Sequence, residues 1–443
     1  MAPAPASAPP ARAMLSKRYL WAIVLCVTAM AYSFAFYREL PPAPSTFHDF
    51  PAYYLPAVQM RHGANPYFTH LSEVTPPADT PTWMLCIEPL AALTPYSAAW
   101  AWFWINILAL LLSLSLLIKE AGFRGSAAII VAAICLMYPP IASNLWFGQS
   151  EIFLCLFLVL MLAALRRGHD RLAGLCLAAA ALLRAYPIGM IAYLLVLRRW
   201  RALIWTVIGV IAGGLLTTAF VGWRVIETYL DLIGLSRGLG LFGLASTLNE
   251  PVGMMKHPAN LNLGAFVKWL YDRTASRSVP LAVSIFGVLA EIAAVAAGFH
   301  ATFGIDPGDS DWRGFGLWIV TLSLISPLSW YFYFCCFLPL IIGMAAAWRR
   351  GYLPSAALCA IVAAYLIGTV LPTYGHPLYP FFEVIITSLR ENHPHIDHAI
   401  SEKEFAALIL TWLAAYLFVI SARWTPGHQS DALSTRPTFP ADE

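Results

Sequence analysis

From Ala98 to Ile118 the chain carries no charged residue, and Lys119 and Glu120 close the run. A helix needs about 20 mostly apolar residues to cross the hydrocarbon of a bilayer, and this stretch has that length. Comparable stretches recur at about Tyr19–Phe36, Ser126–Ile141, Ile152–Leu165, Ala202–Val221, Pro280–His300, Gly314–Ile325, Tyr331–Trp348, Leu353–Leu371 and Phe405–Ile420. Leu172 to Leu197 is interrupted by Arg184-Ala185-Tyr186-Pro187. Proline disfavours helix at the residue before it, so this stretch is expected to form two short helices meeting at a turn. The expectation is an all-α, polytopic membrane protein of roughly twelve spans.

Composition agrees. Hydrophobic residues make up 59% of the 443 and charged residues 12%, where a soluble domain carries about 25% charged. A net charge of +3 gives no reason to expect a nucleic-acid partner. The eight cysteines lie almost all in apolar runs, without metal-ligand spacing, and read as small hydrophobes.

Basic residues orient the spans. Lys17/Arg18, Lys119/Arg124, Arg166/Arg167/Arg171, Arg198/Arg199/Arg201, Arg349/Arg350 and Arg423 fall at alternate ends of successive spans, provided Leu172–Leu197 crosses twice. By the positive-inside rule those ends face the cytoplasm. Both termini then lie inside, as tails over 1–18 and 423–443 around a single membrane domain over 19–422. Extracytoplasmic loops are expected at about 37–97, 222–279 and 373–404, with Pro51–His62 and Leu263–Tyr271 as amphipathic helices.

The outer face collects the residues with chemistry. Asp49 begins a segment, His48-Asp49-Phe50-Pro51-Ala52-Tyr53-Tyr54, too polar and proline-broken to cross. Two readings of Asp49 stand together. It can cap a helix that starts at Pro51, or act as a general base on an acceptor hydroxyl. Arg184 lies deep in apolar sequence, where an arginine is costly unless it faces a polar site or a partner. It either snorkels to the headgroups or binds phosphate with its planar fork. The stretch Asn144–Glu151 is expected as a short loop whose amides, Gln149 among them, suit sugar hydroxyls. Ser326-Pro327-Leu328-Ser329-Trp330 is a similar external end. His48 and His376 are the external histidines nearest to a cavity. His393, His395 and His398 with Asp397 read as a solvated loop, and no metal site is expected.

Five segments in order resemble the integral membrane glycosyltransferases of family 87, in the GT-C superfamily. They are Asp49-Phe50-(x)2-Tyr53-Tyr54 with Gly63-(x)2-Pro66-Tyr67; Glu88-Pro89 through Pro95, leading into Trp102 and Asn106; Phe147-Gly148-Gln149-Ser150-Glu151; Leu183-Arg184-Ala185-Tyr186-Pro187; and Ser326-Pro327-Leu328-Ser329-Trp330. Two departures accompany the resemblance and bear on the donor. Phe332 and Tyr333 stand where members often carry histidine, and Asp79-Thr80-Pro81 stands for a usual Tyr-Pro-Pro.

The resemblance implies a bacterial inner-membrane enzyme that moves a sugar, mannose first among candidates, from a polyprenyl-phosphate donor to a lipid-linked or glycan acceptor. Asp49 would be the base and Arg184 the donor-phosphate contact. His48, Tyr53, Tyr54, Gln149, Glu151, Trp330 and His376 would line the substrate site. No cofactor is expected. A transporter or flippase of a lipid-linked sugar is the rival, since it too would show intramembrane charge and broken helices. The sequence is silent on oligomeric state.

Overall fold

The computed structural model describes residues 49–67, 79–232, 261–264, 266–267, 281–303, 312–326, 329–351, 353–369 and 396–421. Among them every regular element is helical. The first expected span, both tails, His48, His376 and most of the Leu263–Tyr271 helix lie outside the described residues.

Short helices come first. α1 (Pro51–Arg61) starts on Pro51. α2 (Pro81–Ile87) is capped by Thr80, whose hydroxyl accepts from the Trp83 amide, with Pro81 in the first turn. A 3-10 turn, Glu88–Ala92, leads to α3 (Pro95–Glu120), which repeats the device with Thr94 and Pro95. A hydroxyl cap followed by proline is a helix start written in sequence.

α4 (Gly125–Leu136) and α5 (Pro139–Phe147) meet at a bend of 52°. One straight span, Ser126–Ile141, was the expectation. Pro139-Pro140 removes two amide donors and breaks it. α5 runs to Phe147 and ends at Gly148, whose φ of +69° gives the left-handed C-terminal residue. The expected loop Asn144–Glu151 therefore shrinks to Gly148-Gln149-Ser150 before α6 (Glu151–Arg166).

α7 (Asp170–Leu183) ends where Arg184 turns extended, at φ −136° and ψ 136°. A 3-10 turn, Tyr186–Met190, and α8 (Ile191–Val196) follow, so the expected break is present. α9 (Trp200–Val221) packs on α7 through glycines. A Cβ on Gly174 would sit 2.3 Å from the Ala202 carbonyl oxygen, and one on Gly213 2.3 Å from Leu182 Cδ1. Small residues let apolar helices approach where lipid competes for their faces.

Then come α10 (Trp223–Leu232), α11 (Leu281–Thr302), α12 (Trp312–Ile325), a 3-10 turn at Tyr331–Phe337 leading into α13 (Leu338–Arg349), α14 (Ser355–Thr369) and α15 (Ile396–Ser421). α15 begins inside the segment expected as the 373–404 loop. Five stretches among the described residues are long and apolar enough to cross a membrane: α3, α9, Ile285–Thr302, Tyr331–Arg349 and Lys403–Ser421. The bent α4–α5 pair makes six. The apolar stretches Tyr186–Val196, Trp312–Ile325 and Ser355–Ile367 are shorter.

Charge separates along the helices. Glu120 receives Arg166 at 3.3 Å and Arg167 at 2.5 Å, and Asp170 pairs with Arg199 at 3.3 Å. These pairs join the ends of α3 and α6 to one another and the start of α7 to the start of α9. Glu151 and Arg184 lie at the other ends of α6 and α7. At 1.5 Å per residue, the 16 residues of α6 set the two ends about 24 Å apart.

Candidate active site

Arg184 is the centre of the polar cluster. Its extended backbone throws the side chain off the end of α7, and only 12% of that side chain stays exposed. Nε lies 3.2 Å from Asp79 Oδ1, and Nη2 lies 3.0 Å from Glu151 Oε1. Nη2 also donates to the Tyr53 hydroxyl at 3.1 Å and to Gln149 Oε1 at 3.2 Å. Nη1 donates to the Tyr333 hydroxyl at 3.2 Å, and the guanidinium carbon stands 5.5 Å from that ring's centre. Tyr186 stacks on the far side of the network, 5.4 Å from Tyr333 and nearly parallel to it.

Asp49 joins through Gln149, whose Nε2 donates to Asp49 Oδ2 at 2.6 Å. Tyr53 OH donates to Gln149 Oε1. The Asp49 amide donates to the Phe147 carbonyl at 3.1 Å, and Trp102 Nε1 donates to the Gly148 carbonyl at 2.7 Å. The segment before α1 is thus fastened to the α5–α6 turn by main chain as well as side chain. Gly148 is needed there twice, for its positive φ and because an added Cβ would lie 3.0 Å from Phe50 Cβ.

The capping reading of Asp49 does not hold. Phe50 is the N-cap of α1, and no side chain makes the cap bond. Asp49's carboxyl points instead to Gln149. Burial raises its pKa; the Gln149 bond and Arg184 pull the other way, and Asp79 adds to the rise. Burial also raises the Asp79 pKa, opposed by Arg184. The Tyr53 phenol is pushed up by burial first and by Asp79 next.

Of the residues expected in the site, Asp49, Tyr53, Gln149, Glu151 and Arg184 converge. Tyr54 does not: one turn position along α1 points it away, and its hydroxyl donates to the Leu93 carbonyl at 2.8 Å. Trp330 stacks on Phe332, ring centres 6.3 Å apart, and Phe332 meets Phe147 at 5.9 Å. Gln149 was expected to meet sugar hydroxyls; among the described residues its side chain bonds to Asp49, Tyr53 and Arg184.

Two members of the cluster were missed. Asp79 was read only as a departure from a motif, and Tyr333 only as a missing histidine. Both turn out to hold Arg184. Asn144 supports Glu151, with Nδ2 donating to Oε2 at 3.3 Å. Among the described residues, no group of three or more His, Cys, Asp or Glu is placed to hold a metal ion.

A helical membrane protein with a buried acid–arginine network at one end of its bundle is the class that this geometry defines. The model of glycosyltransferase family 87 matches residues 79–327, more than half of the chain, and the chain belongs to that family. No curated protein matches the sequence. Among solved structures, the chain is similar to the crystal structure of ArnT from Cupriavidus metallidurans bound to undecaprenyl phosphate. Identity is 14% and the TM-score 0.44, over 90% of this chain and 76% of that one.

Proposed function

We propose that the protein transfers a sugar, mannose first, from a polyprenyl-phosphate donor to a hydroxyl of a lipid-linked or glycan acceptor, with inversion at the anomeric carbon. The observation that carries this reading is the Asp49 carboxyl. One oxygen is held by Gln149, and the other meets no hydrogen-bond partner among the described residues, within a cluster centred on a single arginine. A carboxylate so held can take the proton of an acceptor hydroxyl.

As the glycosidic bond breaks, the electron pair leaves with the phosphate. Arg184 is the positive charge that balances it. Such a leaving group is already anionic and needs no general acid. Asp79 and Glu151 keep the guanidinium in place. The basic ends of the bundle, opposite the site, support a reaction on the extracytoplasmic face; a bacterial inner membrane, cytoplasmic termini and roughly twelve spans are proposed with it. Membership in a glycosyltransferase family weighs against the transporter.

The test is turnover by the purified protein on polyprenyl-phosphate mannose with candidate acceptors, read as released polyprenyl phosphate. Asp49→Asn should lower the rate by about 100-fold or more while the variant stays folded at the assay pH, shown by a cooperative thermal transition. Equal rates would remove Asp49 from the chemistry.

A further inference from the structure

The amide of Gln149 lies between groups that dictate its direction. Arginine only donates, so the end of the amide 3.2 Å from Arg184 Nη2 is the carbonyl oxygen. The Tyr53 oxygen accepts from the same Nη2 at 3.1 Å, which turns its own proton to Gln149 Oε1. Two donors therefore claim Oε1. The NH2 end is left facing Asp49 Oδ2 at 2.6 Å, a short bond to a carboxylate oxygen.

We propose that Gln149 is the positioning residue of the base: its amide, oriented by Arg184 and Tyr53, pins Asp49 Oδ2 and leaves Oδ1 to take the acceptor's proton. This rests on the transferase reading. It assigns Gln149 to the enzyme's own carboxylate rather than to the sugar. It also gives Arg184 a second duty, exerted on the base through one intervening side chain.

The physical signature is in the pH profile. Asp49 is faced by Gln149 from the α5–α6 turn, by Arg184 at the end of α7, by Asp79 before α2 and by Tyr53 on α1; Glu151 on α6 reaches Arg184 beside it. Of these, Gln149 makes the hydrogen bond that favours the ionised base. Gln149→Glu keeps the acceptors for Arg184 and Tyr53 but loses the donor and sets a second carboxylate beside the first. Gln149→Met keeps the length and loses every hydrogen bond.

The experiment compares kcat/KM against pH for wild type and both variants on a polyprenyl-phosphate sugar, beside their thermal unfolding in detergent. The acid limb should move up by about one pH unit in Gln149→Met, and farther in Gln149→Glu. An acid limb that stays in place while the plateau falls would overturn the proposal. Loss of fold in both variants would do so too, since it would make Gln149 a packing residue. A wild type inert on every polyprenyl-phosphate sugar would instead sink the transferase reading beneath it.

Discussion

At the scale of single residues, Arg184 earns its depth by company rather than by position. Removing one partner of a buried ion pair commonly costs about 3–5 kcal/mol, because the other charge is left uncompensated; here one guanidinium answers to two carboxylates. The acids leave a mark on stability. The folded-state pKa of Asp49 is raised above its ordinary 3.8, so the folded protein holds that proton more tightly than the unfolded chain. Its contribution is complete below pH 3.8 and is lost as pH rises through the folded value. Thermal unfolding measured across the acid range should therefore show a shallower fall with pH in Asp49→Asn than in wild type. Arg184 was legible in the sequence as a charge where charge is expensive, and Asp49 as the acid that opens a polar segment at the membrane boundary. Asp79 was not. It precedes a Thr-Pro helix start, where an acid looks like solvent-facing loop, and its partner is brought to it only when α2 packs on the end of α7.

At the scale of elements, proline and capping hydroxyls marked most boundaries, and the break at Arg184 was visible for that reason. The bend between α4 and α5 was missed because apolar composition continued across Pro139-Pro140 and hid it. Two glycines decide whether the elements can approach. Gly174→Ala would drive a Cβ into the Ala202 carbonyl, a backbone group that no rotamer change can move. Overpacking of this kind costs about 1–3 kcal/mol, and a drop in thermal stability is the expected result. Gly148→Ala has a different consequence. A left-handed backbone costs about 1–2 kcal/mol for a residue with a Cβ, and the contact with Phe50 pushes on the residue next to Asp49. Its activity should fall by more than its stability explains, as paired rate and unfolding measurements would show.

At the scale of the whole molecule, the bundle has a site end and an opposite end where Arg166, Arg167 and Arg199 pair with Glu120 and Asp170. Cysteines placed at Arg167 and Arg61, both exposed, test the proposed orientation in a chain with Cys86 and Cys359 replaced by serine. A membrane-impermeant maleimide applied to intact spheroplasts should label Arg61→Cys and spare Arg167→Cys; the reverse pattern would invert the topology. The same arrangement bears on turnover. Two carboxyl groups, Asp79 and Glu151, meet the one guanidinium of Arg184, and a third, Asp49, joins them through Gln149. Under the proposed reaction the donor is a phosphodiester with a single negative charge, and the spent carrier is a monoester able to bear two. A site richer in acids than in bases should hold the first better than the second, so added polyprenyl phosphate is expected to inhibit turnover only weakly.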